Sequence, residues 1–127
     1  MYTQYNEQNI FAKILRGEIP VKTVIEDDHT LAFYDAFPKA KYHILIIPKK
    51  AYISFQDFSE NASPDEIVSL TRMTAKIARS LNLHETGYRL LTNHGPHSNQ
   101  EVPHFHVHLC GGEPLGPLLS KNNDSNV

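Results

Sequence analysis

The sequence predicts an α+β domain in which five antiparallel strands carry two helices. Three observations lead there. Short β-branched and aromatic runs, each bounded by turn residues, follow one another along the chain. Ser63-Pro64-Asp65-Glu66 combines a capping box with proline at the first helical position, which starts one long helix. Histidine and apolar residues alternate strictly through His104-Phe105-His106-Val107-His108-Leu109, the period-two pattern of a strand.

Taken in order, Asn9 caps a short helix with Ile10, Phe11, Ile14 and Leu15 on its apolar face, and Gly17 and Pro20 end it. Residues 22–26 and 30–34 read as two strands joined by a tight turn at Asp27, Asp28 and His29. The apolar run 43–47, closed by Pro48, reads as a central strand, and the stretch up to Asn61 as loop. The long helix that follows turns Ile67, Leu70, Thr74, Ile77, Ala78 and Leu81 inward and Arg72, Lys76 and Arg79 outward. Gly87 opens a strand over 88–92, a polar loop spans 93–103, and the last strand runs over 104–110.

A chain of 127 residues is the size of one domain and shows no internal repeat. Residues 9–119 are expected to form it, with flexible ends at 1–8 and 120–127. Helices concentrated on one face leave another face or edge to be covered, which favours a homodimer. Twelve basic and fourteen acidic residues give a net charge of −2, so no general positive field exists to hold nucleic acid. The single cysteine, Cys110, rules out an internal disulfide and fits a reducing compartment. The first nine residues lack the features of a secretory signal, and the longest apolar run, 44–47, is far below the roughly twenty residues that cross a bilayer. A cytoplasmic protein with no membrane partner is expected.

Eight histidines are unusual in so short a chain, and three share one face of the last strand. A single histidine there would be read as a satisfied core residue. Three in alternation point to chemistry, of which two kinds compete. A His-x-His pair can present two imidazoles to a metal ion, but the nearest further ligands, Glu113, His94 and His97, lie in loops without a recognised spacing. The other kind is covalent catalysis, because neutral imidazole is a good nucleophile at phosphorus and its neighbours can neutralise the phosphoryl oxygens. The second is preferred, with no metal ligand and no cofactor assigned.

The run His104-Phe105-His106-Val107-His108-Leu109-Cys110 resembles the signature of the histidine triad superfamily, in which three histidines alternate with apolar residues. Ile10-Phe11-Ala12-Lys13-Ile14, Glu18-Ile19-Pro20, Glu26-Asp27-Asp28, Leu31-Ala32-Phe33 and residues 43–50 are similar to the N-terminal half of its nucleotide-binding branch. Gly87-Tyr88-Arg89, Asn93, Gln100-Glu101-Val102, Gly111-Gly112 and Pro114-Leu115-Gly116-Pro117 resemble bacterial members. The resemblance implies a homodimer whose two five-stranded sheets join into one of ten strands, with a purine nucleotide site in each protomer. It implies a phosphoramidase reaction: His106 attacks the α-phosphorus, a leaving group departs, and water releases a nucleoside monophosphate from the nucleotidyl-histidine.

By the same resemblance, the backbone carbonyl of His104 orients the nucleophile, His108 lies near the phosphate oxygens and His43 helps fix the triad. Asp35 matches the carboxylate that receives the ribose hydroxyls; Ile10, Phe11, Ile14 and Phe33 match the wall around the base. Asn93, Asn99, Gln100 and Glu101 match the loop beside the phosphate and leaving group. Histidine at position 108 resembles the hydrolases; the nucleotidyltransferase branch carries glutamine there. Asn99, Glu101 and Pro103 depart from frequent glycine, serine (in animal members) and tyrosine, as Lys41-Tyr42 departs from a Pro-Thr pair. A dimeric nucleotide-binding scaffold and a metal-dependent hydrolase are the alternative functions.

Overall fold

A computed structural model of the chain describes residues 4–119. The flexible ends expected from the sequence fall partly at 1–3 and wholly at 120–127, outside the described residues.

Asn9 caps α1 (Ile10–Leu15) by accepting the Ala12 N–H at 2.9 Å, and Gly17 leaves the helix at φ +79°. Strands β1 (Thr23–Glu26) and β2 (Thr30–Tyr34) form a hairpin. Its turn is closed by Asp27 Oδ1, which accepts the N–H groups of His29 and Thr30 at 2.8 and 2.9 Å. The remaining elements are β3 (Tyr42–Pro48), α2 (Phe55–Asn61), α3 (Pro64–Ser80), the single-turn α4 (Leu83–Thr86), β4 (Tyr88–Leu91) and β5 (Val107–Gly111). The five strands form one antiparallel sheet in the order β1-β2-β3-β5-β4.

Two helices were expected; among the described residues there are four α-helical segments and one 3-10 turn, Pro96–Ser98. The stretch before Asn61, read as loop, contains α2, capped by the Ser54 hydroxyl on the Asp57 N–H. Phe58 of α2 is buried and stacks on Phe105 at 4.8 Å between ring centroids. The last strand also starts later than expected. Phe105 N–H donates to Tyr52 O at 2.7 Å, the Pro48 carbonyl is taken by the His104 ring, and the His106 carbonyl is taken by the Thr92 hydroxyl. These bonds replace the sheet ladder, which begins only at Val107.

The pleat sorts side chains into two layers. Ala32, Ile44, Ile46, Phe105 and Leu109 pack beneath Leu70, Met73, Ile77 and Ala78 of α3. On the opposite face, Leu31, Phe33, Leu45 and Ile47 pack against Phe11 and Ile14 of α1. A short helix covers only part of that face. Within α3 the inward positions differ from the expected set: Ile67 stands 36% exposed while Glu66 takes the buried position in the first turn, Met73 is buried although not expected, and Leu81 is the partly buried C-cap.

Glu66 closes the capping box with Ser63 and also accepts the Tyr52 hydroxyl at 2.9 and 3.0 Å on its two oxygens. Burial and this carboxylate push the Tyr52 phenol up to about 12. Ser63→Ala should lower stability by about 1 kcal/mol. Glu66→Ala, which strands both a backbone N–H and a half-buried phenol, should cost about 2–4 kcal/mol. Urea unfolding of the two variants checks the order; equal losses would contradict it.

Candidate active site

The uncovered part of the α1 face forms a groove of about 660 Å³ over β3 and β5. Its floor holds His43, Leu45, His106, His108 and Cys110; Ile10 and Phe11 form one wall, and Asp35, Phe37 and Lys39 border it from the β2–β3 turn. Asn93, Ser98, Asn99, Glu101 and Val102 border it from the loop before β5.

Fixed backbone groups assign every imidazole tautomer at the site. The His106 Nδ1–H donates to the His104 carbonyl at 2.7 Å, so His106 Nε2 carries a lone pair. His43 Nδ1 accepts the Lys39 N–H at 3.0 Å, so the hydrogen of its ring is on Nε2 and is donated to His108 Nδ1 at 2.9 Å. His108 therefore keeps its own hydrogen on Nε2. His104 Nε2–H donates to the Pro48 carbonyl at 2.8 Å, and its Nδ1 accepts the Tyr5 hydroxyl at 2.6 Å. No buried side-chain polar atom among the described residues lacks a partner, whereas His106 Nε2 and His108 Nε2 have none among those residues. Both are therefore open to the groove: one lone pair and one N–H, on rings 5.0 Å apart.

Burial keeps these rings neutral. It pushes His104 and His108 down to about 4, with His106 adding to the effect on both. His106 is lowered by burial against the opposing pull of the His104 carbonyl, Asp35 and Glu101, and His43 is lowered by burial against Asp35. Burial pushes the Cys110 thiol up, the opposite of what an activated cysteine needs.

The groove brings together nine residues expected from the sequence: Ile10, Phe11, Asp35, His43, Asn93, Asn99, Glu101, His106 and His108. Four others stand behind it. Ile14 and Phe33 are in the core under α1, and His104, at 0% exposure, supports its neighbour from within. Gln100 is buried and braces the loop, accepting the Gly95 N–H and donating to the carbonyls of Ile53 and Val102. Seven more residues, Phe37, Lys39, Leu45, Leu91, Ser98, Val102 and Cys110, border the groove without having been expected as site residues. Two were legible: Leu45 shares the parity of His43 on β3, and Leu91 lies opposite His108 across the β4–β5 pair.

Among the described residues one cluster has the composition of a metal site: Asp35, His43 and His108, with donor atoms within 4.8 Å of one another. Glu113, His94 and His97 are not in it. Its chemistry opposes the role, because an ion on His43 Nε2 would drive the ring hydrogen to Nδ1, against the Lys39 N–H.

A model of the HIT domain matches residues 16–115. The chain belongs to the HIT family. This HIT domain is 50% identical over 121 residues to an uncharacterised 13.2 kDa HIT-like protein of Azospirillum brasilense, covering 95% of this chain and 99% of that one. It is 44% identical over 114 residues to the purine nucleoside phosphoramidase of Escherichia coli K12, covering 90% and 95%. Among solved structures, a HIT family hydrolase from Clostridium thermocellum superposes with a TM-score of 0.79 at 36% identity, covering 88% of this chain and 96% of that one. A histidine triad protein from Clostridium difficile gives 0.78 at 41% identity, covering 89% and 97%. No helix among the described residues is long and apolar enough to cross a membrane.

The neutral histidines of this HIT domain carry a pH signature. Unfolding returns His104 and His108 from about 4 to their ordinary value of 6.5, so between these limits the unfolded chain binds more protons than the folded one. Their contribution is complete above pH 6.5 and is lost on acidification towards pH 4, with a slope of at most about 1.4 kcal/mol per pH unit for each ring. The urea midpoint should therefore fall between pH 7.5 and pH 5; an unchanged midpoint would contradict neutral burial.

Proposed function

We propose that the protein is a purine nucleoside phosphoramidase working through a nucleotidyl-histidine at His106. The observation that carries this reading is the 2.7 Å bond from His106 Nδ1–H to the His104 carbonyl, which leaves the Nε2 lone pair facing the groove. The likeness to a purine nucleoside phosphoramidase supports the choice of substrate.

In the proposed first step His106 Nε2 forms a bond to the α-phosphorus and the phosphorus–nitrogen bond breaks, the amine leaving with a proton from solvent at the open mouth. The imidazolium character that develops on His106 is shared with the His104 carbonyl through Nδ1–H, and Asp35 and Glu101 favour it further. His108 Nε2–H donates to a phosphoryl oxygen, its direction fixed by His43. In the second step water attacks the phosphorus, the phosphorus–histidine bond breaks, and a nucleoside monophosphate and neutral His106 are released. No step requires a metal or cofactor.

For the nucleoside, Asp35 is the acceptor for the ribose hydroxyls. One of its oxygens is already held by the Phe37 N–H at 2.8 Å, which fixes the carboxylate and leaves lone pairs for a diol. Ile10 and Phe11 supply an apolar wall for the base, and Asn93, Asn99 and Glu101 border the space for the leaving group.

A homodimer is part of the reading. Strand β4 lies at the sheet edge and exposes Tyr88, Leu90 and Leu91 by 38–48%. A second copy pairing along it would cover that apolar edge and make one ten-stranded sheet.

Intact mass spectrometry after acid-free quenching with an adenosine phosphoramidate should find a nucleotidyl adduct on His106, with AMP release persisting in EDTA. His106→Ala should keep the fold and lose turnover, and Asp35→Ala should chiefly raise KM. Wild-type rates in the His106 variant would sink the covalent mechanism, and activity abolished by EDTA would favour a metal hydrolase. Sedimentation velocity should find a dimer that Leu90→Lys splits; a monomeric wild type would remove that part of the proposal.

A further inference from the structure

The stretch that orients His106 lies just outside the sheet, so its main chain is not held by a ladder. It is pinned instead at separate points: Phe105 N–H on Tyr52 O, Thr92 Oγ on the His106 carbonyl, and the His104 ring at both of its nitrogens. One of the two ring contacts comes from a residue ninety-nine positions away, Tyr5, whose hydroxyl reaches His104 Nδ1 at 2.6 Å and whose ring meets the imidazole edge-on at 5.5 Å.

The segment that carries Tyr5 was expected to lie outside the domain, yet its described part is fastened down. Asn9 N–H and Asn9 Nδ2 both donate to the Asn6 carbonyl, at 3.1 and 2.7 Å, and Arg16 Nη1 donates to the Glu7 carbonyl at 2.8 Å. Tyr5 therefore approaches His104 from a closed turn anchored on α1.

We infer that Tyr5 is a positioning residue for the nucleophile: its hydroxyl, by completing the two-point anchorage of the His104 ring, fixes the His104 carbonyl that holds the proton on His106 Nδ1. The chain of action is Tyr5 hydroxyl, His104 ring, His104 carbonyl, His106 Nδ1–H. Removing the hydroxyl leaves a buried imidazole nitrogen without a donor, and the ring regains freedom to rotate about its one remaining bond to Pro48. The His104–Phe105 peptide is still held at Phe105 N–H by Tyr52 O, so its carbonyl shifts out of line with His106 Nδ1 without coming free, and the fraction of His106 with its lone pair on Nε2 falls. The consequence for turnover rests on the nucleophile assigned above; the consequence for the His106 tautomer does not.

Tyr5→Phe separates this role from simple packing, because it keeps the ring contact and removes only the hydrogen bond. Nitrogen-15 NMR of the resting protein should show the His106 Nδ1 and Nε2 resonances drawing together as the tautomers mix. With an adenosine phosphoramidate, kcat should fall about fivefold, the equivalent of one lost hydrogen bond, while KM stays within about twofold. Arg16→Ala, which loosens the turn and leaves Tyr5 intact, should move both readouts the same way by less. Unchanged His106 resonances in folded Tyr5→Phe would overturn the inference even if turnover fell, and shifted resonances with unchanged kcat would overturn its link to catalysis. A wild-type protein inactive on the phosphoramidate would fault the substrate assignment and leave the NMR comparison to judge Tyr5.

Discussion

The register of β3 against β5 is the constraint on which the rest of the molecule depends. Ile44 lies opposite Leu109 and Leu45 opposite His108, so Ile44, Ile46 and Leu109 face α3 together while the histidines share the α1 face with Leu45 and Ile47. A slip of one residue would reverse every side chain of the strand. If β5 slipped, His106 and His108 would press into the layer of Leu70, Met73 and Ile77, while Phe105 and Leu109 would empty into the groove. The core and the site are thus specified by the same pairing, and the large apolar residues between the histidines are what make the alternative so unfavourable.

Once the histidines are on that face, burial decides their charge and the backbone decides their polarity. Two independent chains of hydrogen bonds end in the groove. One starts at the Lys39 N–H and passes through His43 to leave an N–H on His108; the other starts at the His104 carbonyl and leaves a lone pair on His106. Each is set by a main-chain group that does not titrate. A pair of rings of identical chemistry is therefore split into a hydrogen-bond donor and a lone-pair acceptor without either carrying charge, which a different placement of one carbonyl or one amide would reverse.

Much of this was legible because it rests on period and local capping. The five strands, the helix begun at Ser63 and the shared face of the histidines all follow from patterns within a few residues. What escaped depends on partners distant in sequence. The ladder stops short of His104 because Tyr52, Pro48 and Thr92 offer other bonds, and nothing near position 104 announces them. Gln100 reads as a site residue until its three partners at Gly95, Ile53 and Val102 are seen to turn it into a brace. Helix α2 is a different case: Ser54 followed three residues later by Asp57, then Phe58, is a local capping signal that apolar periodicity alone overlooks in so short a segment. Asn99 shows the reverse, a side-chain-bearing residue in the left-handed backbone region that favours glycine, at φ 59°. Asparagine tolerates that conformation better than most side chains.

The charges around the groove bear on which phosphorus compound it suits. With all four histidines held towards the neutral form, the ionised side chains bordering it are Asp35 and Glu101 on one side of the balance and Lys39 on the other. Asp35 is fixed by the Phe37 N–H and Glu101 lies near enough to act on His106, so neither is a remote surface charge. A ligand bearing several phosphates would bring three or more negative charges to a rim that already carries a net negative one, with Lys39 the one cation lining it among the described residues. A nucleoside phosphoramidate brings about one, which the His108 N–H and the developing imidazolium of His106 can meet. Under the function proposed above, the preference for a phosphorus–nitrogen bond over a polyphosphate then arises from what the groove lacks as much as from what it holds: a neutral nucleophile approaches a weakly charged phosphorus, and the carboxylates stabilise the positive charge that appears on the histidine only as the bond forms.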